Sequence, residues 1–362
     1  GHLDHVGAIP FAATLFPPSA KIIGTPYTIE VLKSILRDEH LKIPHQFVIL
    51  NSGKSYKLSK KITVEFIHIT HSIPQTVVVV IHTPHGKVVY ANDFKLDNTP
   101  VLGKKPDYAQ LKKLGKAGVK LLIINSLYAH EHKKCPSESV AQEMLRDTML
   151  SVSSEEKAMI VTTFSSHLAR LKSIIALGQK LNRKIVLLGR SLDKYVMAGE
   201  RLGLINFTNQ VTLLRQRDQV EKMLRRIQKE GKEKYLIVCT GHQGEPKAIL
   251  SRIARGDLDF KFEQGDVVIF SCQVIPVDIN IENRDKLERI LRSGGVRIFR
   301  DVHVSGHGAR EDHRELLEML RPEHIIPIHA EPAKGRMMAE LALQMGFKNT
   351  HVMEDGKRLS LK

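Results

Sequence analysis

Near Ser126 the chain changes its hydrophobic period, and that change restricts it to folds containing two kinds of sheet. Between Phe47 and Tyr90, short runs rich in Val, Ile and Phe (VIL, ITVEFI, TVVVVI, KVVYA) are separated by Asn-Ser-Gly, Ile-Pro and Pro-His-Gly. This predicts an antiparallel sheet with tight turns. Ahead of it, GTPYTIEVLKSILRD (24–38) reads as a loop followed by a helix, with Thr28 as N-cap and Ile29, Leu32, Ile35 and Leu36 in one apolar stripe. A lysine-rich stretch at 104–120 carries only a weak helical pattern, and a buried strand follows at 119–124. Beyond Ser126 the pattern becomes strand 158–163, helix 166–181, strand 184–189, helices 191–202 and 217–229, strand 235–239 and helix 246–254. Alternation of this kind builds a parallel sheet covered by helices. The remainder reads strand 266–270, helix 283–292, strand 296–299, helix 311–320, strand 324–328 and helix 332–345. No low-complexity linker separates the blocks, so residues 134–299 are expected to form an inserted domain between 1–133 and 300–362.

At 362 residues with 42% hydrophobic content, the chain has enough apolar surface for two cores. The longest apolar runs are of strand length, which argues against a membrane span, and no signal peptide is evident. Cys135, Cys239 and Cys272 are widely spaced, and the last two adjoin apolar strands; they read as reduced thiols of a cytoplasmic protein. Lys and Arg number 55 against 39 Asp and Glu, a net charge of +16, and a protein this basic commonly meets a polyanion. Gly53-Lys54-Ser55 imitates the end of a P-loop, but Val48 occupies the place of its first glycine and no helix follows.

Chemistry concentrates in Gly-His-Leu-Asp-His at residues 1–5. His2, Asp4 and His5 offer two imidazoles and a carboxylate within four positions, a donor set suited to a borderline-soft divalent cation. So short a loop cannot enclose an ion, so further ligands should come from strand ends elsewhere. The candidates are His71 after the strand 64–70, Asp93 after 88–91 and His329 after 325–328. Late in the chain His303, Ser305 and the Gly306 amide lie on one turn, where imidazole, hydroxyl and N–H can converge on a phosphate. In the middle block Ser165, Ser166 and His167 precede one helix, and Gly241 to Glu245, including Gly244, precede another. Both helix starts can present amides to backbone phosphates, although Ser165 also suits a plain N-cap. The HEHKKC segment, with His130, His132 and Cys135, lacks a fourth ligand and reads as a basic loop.

Taken in order, GHLDH, ITHSIP (69–74), NDFKLD (92–97), TGHQGEPKAILSRIA (240–254), DVHVSGH (301–307) and PIHAE (327–331) resemble the β-CASP branch of the metallo-β-lactamase superfamily. Within it the sequence is most similar to ribonuclease J, in its shorter archaeal form. The resemblance implies an αββα metallo-β-lactamase sandwich with an inserted parallel α/β β-CASP domain. It also implies strands upstream of Gly1 and a histidine two residues before His2. Two Zn2+ per chain are implied, with Mn2+ as an alternative. One ion would be held by His2, His71 and the upstream histidine, and the other by Asp4, His5 and His329, with Asp93 bridging.

On the same basis the catalytic group comprises Asp4, His307, which would protonate the departing 3′ oxygen, and Asn125. The family usually carries Asp or Glu at this last position, and an asparagine oxygen would still orient the imidazole without stabilising its charge. Ser305, Gly306, Ala330 and Glu331 would receive a 5′ monophosphate, implying 5′ to 3′ exonuclease action on single-stranded RNA with some endonuclease activity. A homodimer in the cytoplasm, with RNA-processing or helicase partners and no membrane association, completes the expectation. The alternatives are an endonuclease of the RNA 3′-end-processing type and a catalytically weak RNA-binding scaffold.

Overall fold

The computed structural model describes residues 1–361. Two short helices, α1 (Leu3–Val6) and α2 (Ile9–Ala12), lead into strand β1 (Lys21–Gly24), helix α3 (Pro26–Asp38) and strand β2 (Gln46–Ile49). Pro26 starts α3, because its fixed φ suits the first helical position and it has no N–H to leave unpaired. Thr25 is therefore the N-cap, and Thr28, expected there from the sequence, sits inside the first turn. The VIL run also departs from expectation: β2 pairs in parallel with β1 in a separate two-stranded sheet.

Strands β3 (Ser55–Lys57), β4 (Thr63–His68), β5 (Val77–Thr83) and β6 (Gly86–Ala91) form the antiparallel meander. Helix α4 (Tyr108–Lys116) then leads to β7 (Leu121–Asn125), which pairs in parallel with β6.

The inserted block follows as α5 (Glu138–Ser151), β8 (Met159–Thr162), α6 (Leu168–Lys180), β9 (Lys184–Leu188), α7 (Arg190–Arg201), β10 (Val211–Leu214), α8 (Arg217–Glu230), β11 (Tyr235–Cys239), α9 (Ile249–Ala254), β12 (Val267–Phe270), α10 (Asp278–Ser293) and β13 (Arg297–Phe299). Its strands form a wholly parallel sheet in the order β10-β9-β11-β8-β12-β13. Alternate residues feed two cores: Met159, Val161, Leu236 and Val238 face α5, α6 and α7, whereas Ile160, Tyr235, Ile237 and Cys239 face α8, α9 and α10. Burial on both faces explains why these strands read as continuous apolar runs.

The chain returns through α11 (Arg310–Leu320), β14 (His324–Ile328) and α12 (Pro332–Gln344). Strand β14 pairs in parallel with β7, completing the order β14-β7-β6-β5-β4-β3. Leu111 and Leu114 of α4, Leu316, Leu317 and Leu320 of α11, and Met338 and Leu341 of α12 bury this sheet's face. The α4–α11 approach requires Gly115, since a Cβ there would lie 1.9 Å from the Met319 carbonyl oxygen.

This topology positions the site. Strand β4 is antiparallel to β5, and β5 to β6, so β4 runs in the same direction as β6, β7 and β14. Their carboxyl ends share one sheet edge. His71, Asp93, Asn125 and His329 all stand at those ends. All three cysteines are free and buried, with burial pushing each thiol up to about 12. Among the described residues, no helix is long and apolar enough to cross a membrane.

Candidate metal centre

Asp93 occupies the middle of the edge. It leaves β6 two residues after Ala91, and its Oδ2 receives His5 Nε2 at 3.0 Å and His71 Nε2 at 3.2 Å. Its Oδ1 is buried with no hydrogen-bond partner, although His307 Nδ1 and His329 Nε2 each lie 3.8 Å away. Burial alone would raise the Asp93 carboxyl. The hydrogen bonds from His5 and His71 outweigh it and hold the group well below the usual carboxylate range.

The other donors converge on this carboxylate. Potential ligand atoms of His2, His71 and Asp93 lie within 4.8 Å of one another, as do those of Asp4, His5 and Asp93, and those of Asp93, His307 and His329. Asp93 thus joins all three groups. His329 clusters with His307 rather than with the Asp4–His5 pair, although the His5 and His329 rings stack with centroids 5.8 Å apart. At His329 the backbone turns left-handed, φ 60°, as the chain leaves β14.

Histidine tautomers follow from the partners. His71 Nδ1 donates to the Gly306 carbonyl at 2.6 Å, which turns Nε2 toward the carboxylate cluster, where it would offer its lone pair to a bound cation. Metal-ligating imidazoles are oriented in this way, the second nitrogen tied to a carbonyl or carboxylate. His2 is bracketed by two hydroxyls, Ser72 Oγ 3.0 Å from Nε2 and Ser166 Oγ 3.3 Å from Nδ1. Burial and the neighbouring His71 push His2 well below its ordinary value, and burial pushes His307 down to about 3, so both rings are held neutral and able to offer lone pairs. A buried orphan carboxylate oxygen ringed by imidazoles is a donor set that fits a divalent cation such as zinc.

The 301–308 turn forms the adjoining wall. Ser305 Oγ accepts the His307 N–H at 3.0 Å, while the Ser305 carbonyl receives Lys95 Nζ and Cys135 Sγ, each at 3.2 Å. Gly306 packs so closely that a Cβ would lie 2.9 Å from His71 Cε1 and 3.0 Å from Ser72. Asn125, ending β7, places Nδ2 3.1 Å from His307 Nδ1 while its Oδ1 accepts the Leu127 N–H at 2.8 Å. It is therefore the amide nitrogen, not the oxygen expected from the sequence, that faces the imidazole.

The remaining candidates are less uniform. His303 is mostly buried and pushed down to about 2 by that burial and by the Arg170 charge. Ala330 is half-buried, and Glu331 is exposed at the N-cap of α12. In the inserted domain His167, not Ser165, caps α6, accepting the Arg170 N–H at 3.3 Å. Ser165 is buried, and only Ser166 of this loop reaches the centre, through His2. Gly241 and Gly244 are buried turn residues with φ of 124° and 75°, and Gly244 lies directly against the Asn283 backbone of α10. Sequence reasoning missed Lys95, which lies inside the NDFKLD segment, and assigned Cys135 to a solvated loop.

The domain described as "Ribonuclease J, beta-CASP domain" matches residues 156–286, and "Zn-dependent metallo-hydrolase RNA specificity domain" matches 296–353. The chain is 44% identical to ribonuclease J of Methanocaldococcus jannaschii, covering 100% of this chain and 81% of the relative. It is also 44% identical to ribonuclease J of Pyrococcus abyssi, covering 98% and 80%. A crystal structure of a protein of unknown function from Enterococcus faecalis shares the fold at 17% identity with a TM-score of 0.63, covering 95% of this chain and 76% of that one. Identity at this level over the full length leaves one assignment: the chain belongs to the ribonuclease J family, in the β-CASP branch of the metallo-β-lactamase superfamily.

Proposed function

We propose that this chain is a zinc-dependent ribonuclease that degrades single-stranded RNA from a 5′-monophosphorylated end. The observation that carries this reading is Asp93. Its carboxylate is shared by His5 and His71 on one oxygen and left unpaired, facing His307 and His329, on the other. As the family resemblance implies, His2 and His71 would hold one zinc and Asp4, His5 and His329 a second, with Asp93 common to both; the side chains support the His2–His71–Asp93 and Asp4–His5–Asp93 sets, and His329 reaches the second through its stack on His5. Bound zinc supplies Lewis acidity toward a phosphoryl oxygen and makes water a competent nucleophile near neutral pH.

The chain's own residues do the rest. His71 is locked by the Gly306 carbonyl, so the turn carrying Ser305 and His307 moves with the metal ligands. Ser305 and the backbone of that turn, with His303 two residues earlier and Ala330 and Glu331 just after His329, would receive the terminal phosphate, and His307 would attend the departing oxygen. The net charge of +16 favours association with a polyanion. The relatives named ribonuclease J support the RNA substrate.

The test is digestion of matched 5′-monophosphate and 5′-hydroxyl RNAs by the zinc-loaded chain, with and without chelator. Mononucleotides released from the phosphorylated RNA alone, and abolished by chelation, are expected. Internal fragments from both RNAs would point to the endonuclease reading, and binding without turnover to a scaffold.

A further inference from the structure

Arg170 lies in α6 with no solvent exposure, and its guanidinium spans the junction between the inserted domain and the returning chain. Nε and Nη2 form a fork on the Glu138 carboxylate at 2.5 and 2.9 Å. Nη1 donates to the Ser271 carbonyl at 3.0 Å, to Ser271 Oγ at 2.8 Å and to the Val302 carbonyl at 3.3 Å, and lies 3.4 Å from His303 Nδ1. Ser271 Oγ in turn donates to the Val302 carbonyl at 2.8 Å. Glu138 is itself fixed: His167 Nε2 lies 3.3 Å from its carboxylate, and its N–H donates to Asp97, four residues after the central Asp93.

One side chain therefore ties the start of α5, the end of β12 and the entry to the 302–307 turn. A buried ion pair is a poor way to gain stability, since apolar residues of similar volume usually serve as well. What it does provide is direction, because a guanidinium fork accepts its partners in one plane. The turn it holds at Val302 is the turn held at Ser305 by Lys95 and Cys135 and at Gly306 by His71.

We infer that Arg170, seated by Glu138, is a positioning residue for this turn: it fixes Val302 and His303, and through them the approach of Ser305 and His307 to the metal centre. The inserted domain then sets the cleavage geometry as well as contributing surface. This rests on the roles proposed above for Ser305 and His307.

Arg170→Lys keeps the charge but loses the fork, and Ser271→Ala removes only the hydroxyl bridging Arg170 to Val302. Hydrogen exchange of the full chain is expected to accelerate across 300–309 in both variants, with other segments unchanged. With zinc loaded, single-turnover cleavage of saturating 5′-monophosphate RNA should fall about tenfold in Arg170→Lys, since small misplacements of reacting groups are costly. RNA affinity measured under chelation should stay within about twofold. Because both changes act on one turn, Arg170→Lys combined with Ser305→Ala should cost little more than Ser305→Ala alone.

Unchanged exchange across 300–309, or faster exchange spread evenly along the chain, would overturn the inference. Should Arg170→Lys fail to fold, Ser271→Ala decides by the same readout. A wild-type chain that cleaves no RNA, with the variants still showing the local exchange effect, would overturn the proposed function and leave the positioning intact.

Discussion

Asn125 donates its amide hydrogen to His307: Nδ2 lies 3.1 Å from Nδ1, and the amide cannot be turned round because Oδ1 accepts the Leu127 N–H at 2.8 Å. An amide nitrogen only donates, so Nδ1 of His307 is the acceptor and the ring proton sits on Nε2. A carboxylate at 125 would do the opposite, accepting from Nδ1–H and favouring the imidazolium. The asparagine thus adds to the burial that already pushes His307 down to about 3.

Asn125→Asp is therefore expected to raise the single-turnover cleavage rate by about tenfold, a modest part of what general acid catalysis supplies. Rapid-quench measurement on 5′-monophosphate RNA checks it. An unchanged rate would mean that His307 does not protonate the leaving group.

Asp93→Asn keeps the size of the side chain and removes its charge. Since Asp93 belongs to all three candidate ligand groups, zinc measured per chain should fall sharply, and added zinc should no longer raise the melting temperature, because stabilisation by a ligand requires that the native state bind it. His40→Ala, at an exposed turn after α3 and outside all three candidate groups, serves as the control and should retain full zinc.

How legible the site was in the sequence depended on where each residue sat along its strand. His71, Asp93 and His329 follow apolar runs, and a ligand at the end of such a run can be read as an edge residue without knowing its neighbours. The pairing of β14 with β7 joins segments about 200 residues apart, and no local pattern encodes it. Strand β1, KIIG, and strand β10, VTLL, were missed because they are four residues long and lie in the small sheet and at a sheet edge, where no alternating burial marks them. Helix α5 was missed because polar residues dominate it. Arg170 left a faint signal, an arginine sharing a helical face with Ile174 and Leu177, but its partners lie at the start of α5, just after β12 and in the 302–303 segment. The orientation of Asn125 depends on one backbone N–H and could not be read from residue type.

Gly306→Ala tests the link between the turn and His71, a proposed metal ligand. The added methyl would stand 2.9 Å from His71 Cε1 and 3.0 Å from Ser72, so the ring or the turn must shift, breaking the 2.6 Å bond that orients His71. Zinc affinity, measured by competition with a chromophoric chelator, is expected to fall at least ~10-fold, the usual cost of losing a partner that orients a ligand.

His242 governs part of the acid stability. Its ring packs edge-on against Phe164 at 4.4 Å, and its Nδ1 is buried without a hydrogen-bond partner. Burial pushes it from 6.5 down to about 4; the Glu245 charge opposes the shift and the Arg284 charge adds to it. The folded protein therefore keeps His242 neutral over a range in which the unfolded chain takes up a proton. Its contribution to stability is complete above pH 6.5, is lost as the pH falls, and is gone below about 4, amounting to ~3 kcal/mol at most. His242→Gln removes the titration, so its denaturation midpoint should fall less than that of the wild type between pH 7 and pH 4. Parallel urea titrations measure the difference, and identical pH slopes would show that the ring takes up its proton without opening the Phe164 contact.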